Sequence, residues 1–141
     1  MIFVSSLLID SNNKKNNTKK VIATDKAPGA IGPYSQAIEA NGILFISGQL
    51  PIDPVTGELA QGTTEQARQS LENVKSILES AGLTMAHVVK TTVFLKDMSL
   101  FADMNKVYET YFDGQYPARS AFAVKELPKD ALIEIECIAV R

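Results

Sequence analysis

The 141-residue chain has one cysteine, one histidine and no tryptophan. One cysteine closes no internal disulfide, which excludes a stapled secreted scaffold. One cysteine and one histidine cannot furnish a zinc site of the Cys/His type. A Ser-His-Asp triad would have to use His87, the single imidazole. An excess of positive charge is also missing. The 14 Lys+Arg stand against 16 Asp+Glu, a formal net charge of -2, whereas a nucleic-acid-binding domain is expected to be basic. No apolar run approaches the ~20 residues that cross a bilayer, and no Walker motif, dinucleotide glycine pattern or cluster of metal ligands is present.

What remains is ordinary globular usage, 45% hydrophobic and 21% charged, in a length that suits one domain. A chain of this size buries roughly two thirds of its unfolded surface. That supplies a core but little room for a deep internal pocket, so a pocket built between subunits, and hence an oligomer, is expected.

Residues 1–20 differ from the rest. Residues 1–9 are apolar with two serines, and residues 12–20 contain no apolar residue and four lysines. The apolar part is too short for a membrane helix and lacks the basic region and small-residue cleavage site of a secretory signal. It reads as a nonessential leader or an upstream start, against an organelle address or an added strand. A single domain is expected over residues 21–141, and a cytoplasmic location is expected.

Within that domain, residues 21–23 are a short strand candidate, and residues 27–33, with two Gly and two Pro, are a loop. Residues 34–40 and 43–47 read as strands joined by Asn41-Gly42, a strong hairpin signal. Residues 48–62 are a connection. Thr63 and Gln66 fit a capping box that opens a helix, with Ala67, Leu71, Val74, Ile77, Leu78 and Ala81 as its apolar stripe and Gly82 as its C-terminal cap. Residues 88–95 are a β-branched strand. A second helix is expected over about 99–112, and strands over 119–124 and 132–140. The order β-β-β-α-β-α-β-β predicts an α+β layer, with both helices on one face of a mixed sheet. In the last strand Ile133, Ile135, Cys137 and Ala139 should face the core, and Leu132, Glu134, Glu136, Ile138 and Val140 the other side. Apolar residues on that second side suggest an interface with polar inclusions.

Single residues carry weaker signals. Arg119, at a strand start after Pro117, is either a surface ion-pair partner or a fork that binds a carboxylate. Glu134 sits mid-strand, where an acidic residue disfavours β structure. It is either an interface charge or a carboxylate that holds water, and Glu136 shares its face. Tyr34 follows a Gly-Pro turn and offers a phenol to a pocket or to ordinary packing. Gly48 ends a strand where a ligand could approach the backbone. His87 reads as a surface or capping residue, and Cys137 as an inert buried thiol.

Taken together the segments resemble a known family. Residues 27–37 (APGAIGPYSQA), Ser47-Gly48-Gln49, residues 89–93 (VKTTV), residues 105–108 (NKVY), Pro117-Ala118-Arg119-Ser120, residues 127–131 (LPKDA) and residues 133–136 (IEIE) match its blocks in order, over about residues 20–141. The chain resembles the RidA group of the YjgF superfamily. The resemblance implies a chorismate-mutase-like α+β fold: a six-stranded mixed sheet, and a homotrimer whose sheets form an inner barrel with active sites between subunits. It implies hydrolysis of reactive 2-imino acids or their enamine tautomers to 2-keto acids and ammonia, with no metal or organic cofactor. By resemblance Arg119 clamps the substrate carboxylate and Glu134 holds and deprotonates the attacking water. Tyr34, Gly48 and Asn105 match further pocket positions, and Ser120 and Ala121 offer backbone N–H groups. Many members carry cysteine where this chain has Ala121, which argues against thiolate chemistry there. Two other functions compete: a non-catalytic module that binds small acids or acts as a chaperone, and the endoribonuclease or translation-inhibitor activity formerly attached to the family. The acidic balance and the lack of an aromatic-basic stripe disfavour RNA.

Overall fold

The computed structural model describes residues 18–141. The leader proposed at residues 1–20 therefore lies outside the described residues except for its last three. Six strands form one mixed sheet: β1 (Lys20–Ile22), β2 (Ala37–Ala40), β3 (Ile43–Gln49), β4 (Val88–Leu95), β5 (Ala118–Ala123) and β6 (Ile133–Val140). Their spatial order is β1-β2-β3-β6-β4-β5. All neighbours run antiparallel except β4 and β5, which are parallel. The long helix α1 (Thr63–Ser80) and the shorter α2 (Phe101–Tyr108) pack on the same face.

Side-chain alternation decides which face that is. Ile133, Ile135, Cys137 and Ala139 of β6 are buried, while Glu134, Glu136 and Ile138 between them are only partly covered. The buried set meets Leu44 and Ile46 of β3, Val93 of β4, Leu71, Val74, Ile77 and Leu78 of α1, and Met104 and Val107 of α2 in one cluster. At ~25 cal/mol per Å2 of apolar surface removed from water, this face dominates the stability. The second face mixes apolar with polar side chains and is left uncovered by the described residues. Phe45 and Phe122 are each 45% exposed and Val140 42%, and Phe122 meets Phe94 edge to face at 5.5 Å.

Several local expectations hold. Asn41 and Gly42 take positive φ angles of 52° and 76°, as a two-residue hairpin of primed type requires. Gly82, at φ 76°, closes α1, with the Leu83 N–H returning to the Leu78 carbonyl.

Others are corrected. The capping box at Thr63 does not form: Gly62 occupies the cap with no side-chain bond. The Gln66 side chain instead donates to the Ala60 carbonyl and accepts from the Leu132 N–H. It ties β6 to the loop before α1, so a tertiary need outweighs the local one. A capping box does form at Thr84 and His87, where His87 Nδ1 accepts from the Thr84 N–H at 3.0 Å. The lone imidazole is thus a cap. The second helix is α-helical for eight residues only and is flanked by 3₁₀ turns at Met98–Leu100 and Glu109–Tyr111. Asp97 caps the first of these, and Thr110 Oγ1, donating to the Val107 carbonyl, tightens the last turn. Strand β2 begins at Ala37 rather than residue 34, because Gln36 is spent on the loop. Its buried amide accepts from the Thr24 N–H and donates to the Thr24 and Pro28 carbonyls.

Candidate active site

A cleft of about 750 Å3 opens where the residue 28–36 loop, the end of β3, the residue 50–57 loop and the start of β6 converge. Tyr34, Gly48 and Glu134 all line it. Tyr34 is placed by its turn: its N–H returns to the Gly32 carbonyl at 2.9 Å, and its phenol oxygen accepts from the Ile31 N–H at 3.3 Å. Gly48 lies in a β3 irregularity. Between Ile46 and Gln49 that strand spends one residue more than β6 does across the same interval, which is a bulge of the kind that re-aims side chains beside functional sites. Ser47 pins it: its N–H bonds the Gln36 carbonyl and its hydroxyl donates to the Ser35 carbonyl at 2.6 Å.

The bulge has a consequence for Glu134. A Cβ on Gly48 would lie 2.9 Å from Glu134 Cδ and closer still to Oε1. The carboxylate therefore rests against bare glycine backbone. Among the described residues Glu134 makes no ion pair or side-chain hydrogen bond. Burial, and then the negative charge of Glu136, holds its carboxyl above the ordinary carboxylate range. Raising a carboxyl pKa strengthens it as a base near neutrality.

The sign of the stability effect follows. A group whose pKa is raised on folding binds its proton more tightly in the folded state. Its favourable contribution is complete below the unfolded value, near 4.5, and is lost as pH rises through the folded value. Glu134→Gln, a neutral mimic, is therefore expected to melt above the wild type at pH 7–8, with the gap closing toward pH 4. Melting curves across that range check this, and a variant destabilised at every pH would contradict the burial argument.

Arg119 is not at this cleft. It pairs in register with the buried Thr91 of β4, so its side chain rises on the helix side of the sheet. There it lies over the Tyr108 ring at 4.7 Å and the Phe101 ring at 5.3 Å, and Nη1 donates to Asn105 Oδ1 at 2.7 Å. Phe101, Asn105 and Tyr108 stand at i, i+4 and i+7 on α2, one face of the helix. Tyr108 is itself fixed by a 2.7 Å bond between its hydroxyl and Thr91 Oγ1. The guanidinium is thus held flat by two rings and an amide, with the rest of its donor fork left for an anion. Ala121 shares this side and packs on the core. Ser120 points to the other side, where its hydroxyl accepts from Lys90 Nζ at 2.9 Å. Strand β5 pairs only with β4, so its outer edge is open.

Glu134 and Arg119 therefore leave opposite faces of one sheet, with β4 between their strands. In one chain, then, Arg119 lies outside the cleft that Glu134 lines. Sequence reasoning placed these residues at sites between subunits but not on particular faces of the sheet, because a strand's period is legible locally and its place in the sheet is not. It also passed over the buried amides that hold the cleft walls. Asn73 of α1 donates to the Leu50 and Ile52 carbonyls, and Gln36 anchors the facing loop. The signal for Asn73 was a polar row, Gln66, Ser70 and Asn73, running beside the apolar stripe of α1 and buried with it. Cys137 is buried, its thiol pushed up to about 12 by desolvation and then by Glu136, as an inert core thiol should be. Among the described residues no group of His, Cys, Asp and Glu is placed to hold a metal ion, and no helix is long and apolar enough to cross a membrane.

The profile of the endoribonuclease L-PSP family matches residues 24–141. A RutC family protein of Pyrococcus horikoshii is 58% identical over 124 residues, covering 87% of this chain and 98% of its own. The 2-iminobutanoate/2-iminopropanoate deaminase of Salmonella typhimurium is 54% identical over 125 residues, covering 86% and 98%. Among solved structures, the YjgF gene product of Escherichia coli superposes with a TM-score of 0.84 at 52% identity, over 86% of this chain and 98% of that one. Escherichia coli TdcF with bound serine gives 0.84 at 50%, with the same coverage. With fold, sequence blocks and relatives in agreement, the chain belongs to the endoribonuclease L-PSP family, in its RidA/YjgF group.

Proposed function

We propose that this protein hydrolyses 2-imino acids, and the enamines in equilibrium with them, to 2-keto acids and ammonia, at sites each shared by two copies in a homotrimer. The observation that carries the reading is the division into complementary halves. One half offers an anion clamp on an aromatic platform, and the other an unpaired, half-buried carboxylate in a cleft. Neither half is useful alone. The uncovered apolar face, with Phe45, Phe94, Phe122 and Ile138, is where further copies would close the sheet into a barrel and bring Arg119 of one copy toward Glu134 of the next. The relatives named as 2-iminobutanoate/2-iminopropanoate deaminases support the chemistry.

The reaction is then derived from the residues. Arg119 binds the substrate carboxylate through its free N–H groups, assisted by the Ala121 backbone N–H at the open edge of β5, whereas the Ser120 N–H, in step with that of Val124, faces β4. An enamine first takes a proton at C3 and becomes the iminium. Water held by Glu134 attacks C2, the water's proton passes to Glu134, and the C=N electron pair moves onto nitrogen. Glu134 gives that proton to the carbinolamine nitrogen, the C–N bond breaks as the oxygen lone pair forms C=O, the hydroxyl proton returns to the Glu134 carboxylate, and ammonia leaves. The iminium is already an electrophile, so positioning supplies most of the rate.

The cleft's charge argues against RNA: Asp53, Glu134 and Glu136 line it with Lys129 as the single cation, an arrangement that repels phosphate. The deciding experiment couples a threonine dehydratase to the purified protein and follows the transient imine. Faster loss of the imine than its spontaneous hydrolysis is expected. An unchanged rate would leave a protein that binds small acids without turning them over.

A further inference from the structure

The geometry points to Glu136 as a positioning residue that acts through Glu134, keeping it a stronger base than its cleft alone would make it. The inference rests on the deaminase reading for its use, but not for its test. Glu134 and Glu136 stand at i and i+2 on β6, so both leave the same face of the sheet, roughly 7 Å apart along the strand. Both border the same cleft. Neither makes an ion pair or a side-chain hydrogen bond among the described residues.

The groups facing the pair from each side are few. The residue 50–57 loop contributes Asp53, the residue 28–36 loop Tyr34, and the turn before β6 Lys129. On β4, Lys90 sits diagonally across from Glu136. It borders with Glu136 and Thr92 a small hollow of about 150 Å3, and its ammonium is held by Ser120. No residue of β3 beside the pair is charged. The arrangement is asymmetric. Glu136 has Lys90 on its far side, whereas Glu134 rests on glycine backbone with Glu136 two residues on, and among the described residues Lys129 is the one cation bordering their shared cleft. A negative charge two residues along the strand therefore favours the protonated form of Glu134. The upward push on the Glu134 carboxyl, with Glu136 as its second cause after burial, agrees with this.

The consequence is a water-activating group of raised basicity. Glu136→Gln is expected to move the acid limb of kcat/KM to lower pH by roughly 0.5 to 1, and to lower the plateau two- to five-fold, because a weaker base drives the proton transfer less. Glu136→Asp should restore much of both. Lys90→Gln, which removes the opposing charge, should move the limb the other way. The carboxyl carbon of Glu134, titrated by 13C NMR in the intact protein without substrate, should shift with the same sign in each variant. That readout decides the electrostatic role whether or not imine hydrolysis is found. An unmoved Glu134 titration in Glu136→Gln would overturn the inference, and so would a variant whose only change is a weaker assembly, since Glu136 would then be an interface charge.

Discussion

Arg119→Ala should lose imine hydrolysis almost entirely, with kcat/KM falling at least about a thousandfold, while the protein stays folded and assembled. The proposed substrate is small, and the carboxylate is its one strong handle. A bidentate charged pair fixes both position and orientation. Without it, water at Glu134 faces a substrate free to rotate, so kcat should fall together with a rise in KM. The fold should survive because Arg119 lies at the edge strand, only partly buried. Its removal forfeits the contacts to Tyr108, Phe101 and Asn105, together about 1–2 kcal/mol. Arg119→Lys should not rescue, because an ammonium presents no flat fork to the rings or to the carboxylate. The coupled dehydratase assay, with oligomer mass measured alongside, separates the outcomes. Near-normal turnover by Arg119→Ala in an intact assembly would remove the clamp from the mechanism.

The contrast between Arg119 and Glu134 shows which features a strand's sequence carries. Alternation along β6 was readable because each residue's neighbour in sequence is its opposite in space, so Ile133, Ile135 and Cys137 announced the core face, and Glu134 and Glu136 the other. The hairpin at Asn41-Gly42 and the stop at Gly82 were readable for a similar reason: each is a local backbone conformation that few residues adopt. The side on which Arg119 emerges was not readable. It depends on the parallel register that sets Arg119 beside Thr91, and that register is fixed by the crossover through α2 rather than by residues 117–120. The same limit explains Gln66 and Gln36. Both looked like local signals, a cap and a strand residue, yet their amides close loops from elsewhere in the chain. The residues gathered around each half-site came from family resemblance. Their division between two faces came from the sheet.

Gly48→Ala should remove most of the activity at little cost in stability, and the two effects should separate cleanly. Gly48 does not need glycine for its backbone, since its φ lies outside the left-handed region. What it supplies is space. The added methyl would sit 2.9 Å from Glu134 Cδ and 3.2 Å from Cγ, inside contact distance, so the carboxyl group must swing away. Glu134 has no bonded partner to lose among the described residues and faces an open cleft, so the swing should change stability by less than about 1 kcal/mol. The water-activating group, however, is then misplaced. Loss of a positioned general base costs about 10²–10⁴-fold, and kcat/KM should fall by that order. The double variant Gly48→Ala, Glu134→Ala completes the argument. If the methyl acts only through the carboxylate, it should add nothing to the loss already caused by Glu134→Ala, and the cycle should be strongly non-additive. Additive losses would mean that Gly48 serves the substrate directly through its backbone. Full activity in the single variant would mean that Glu134 works from a position other than the one it occupies against β3.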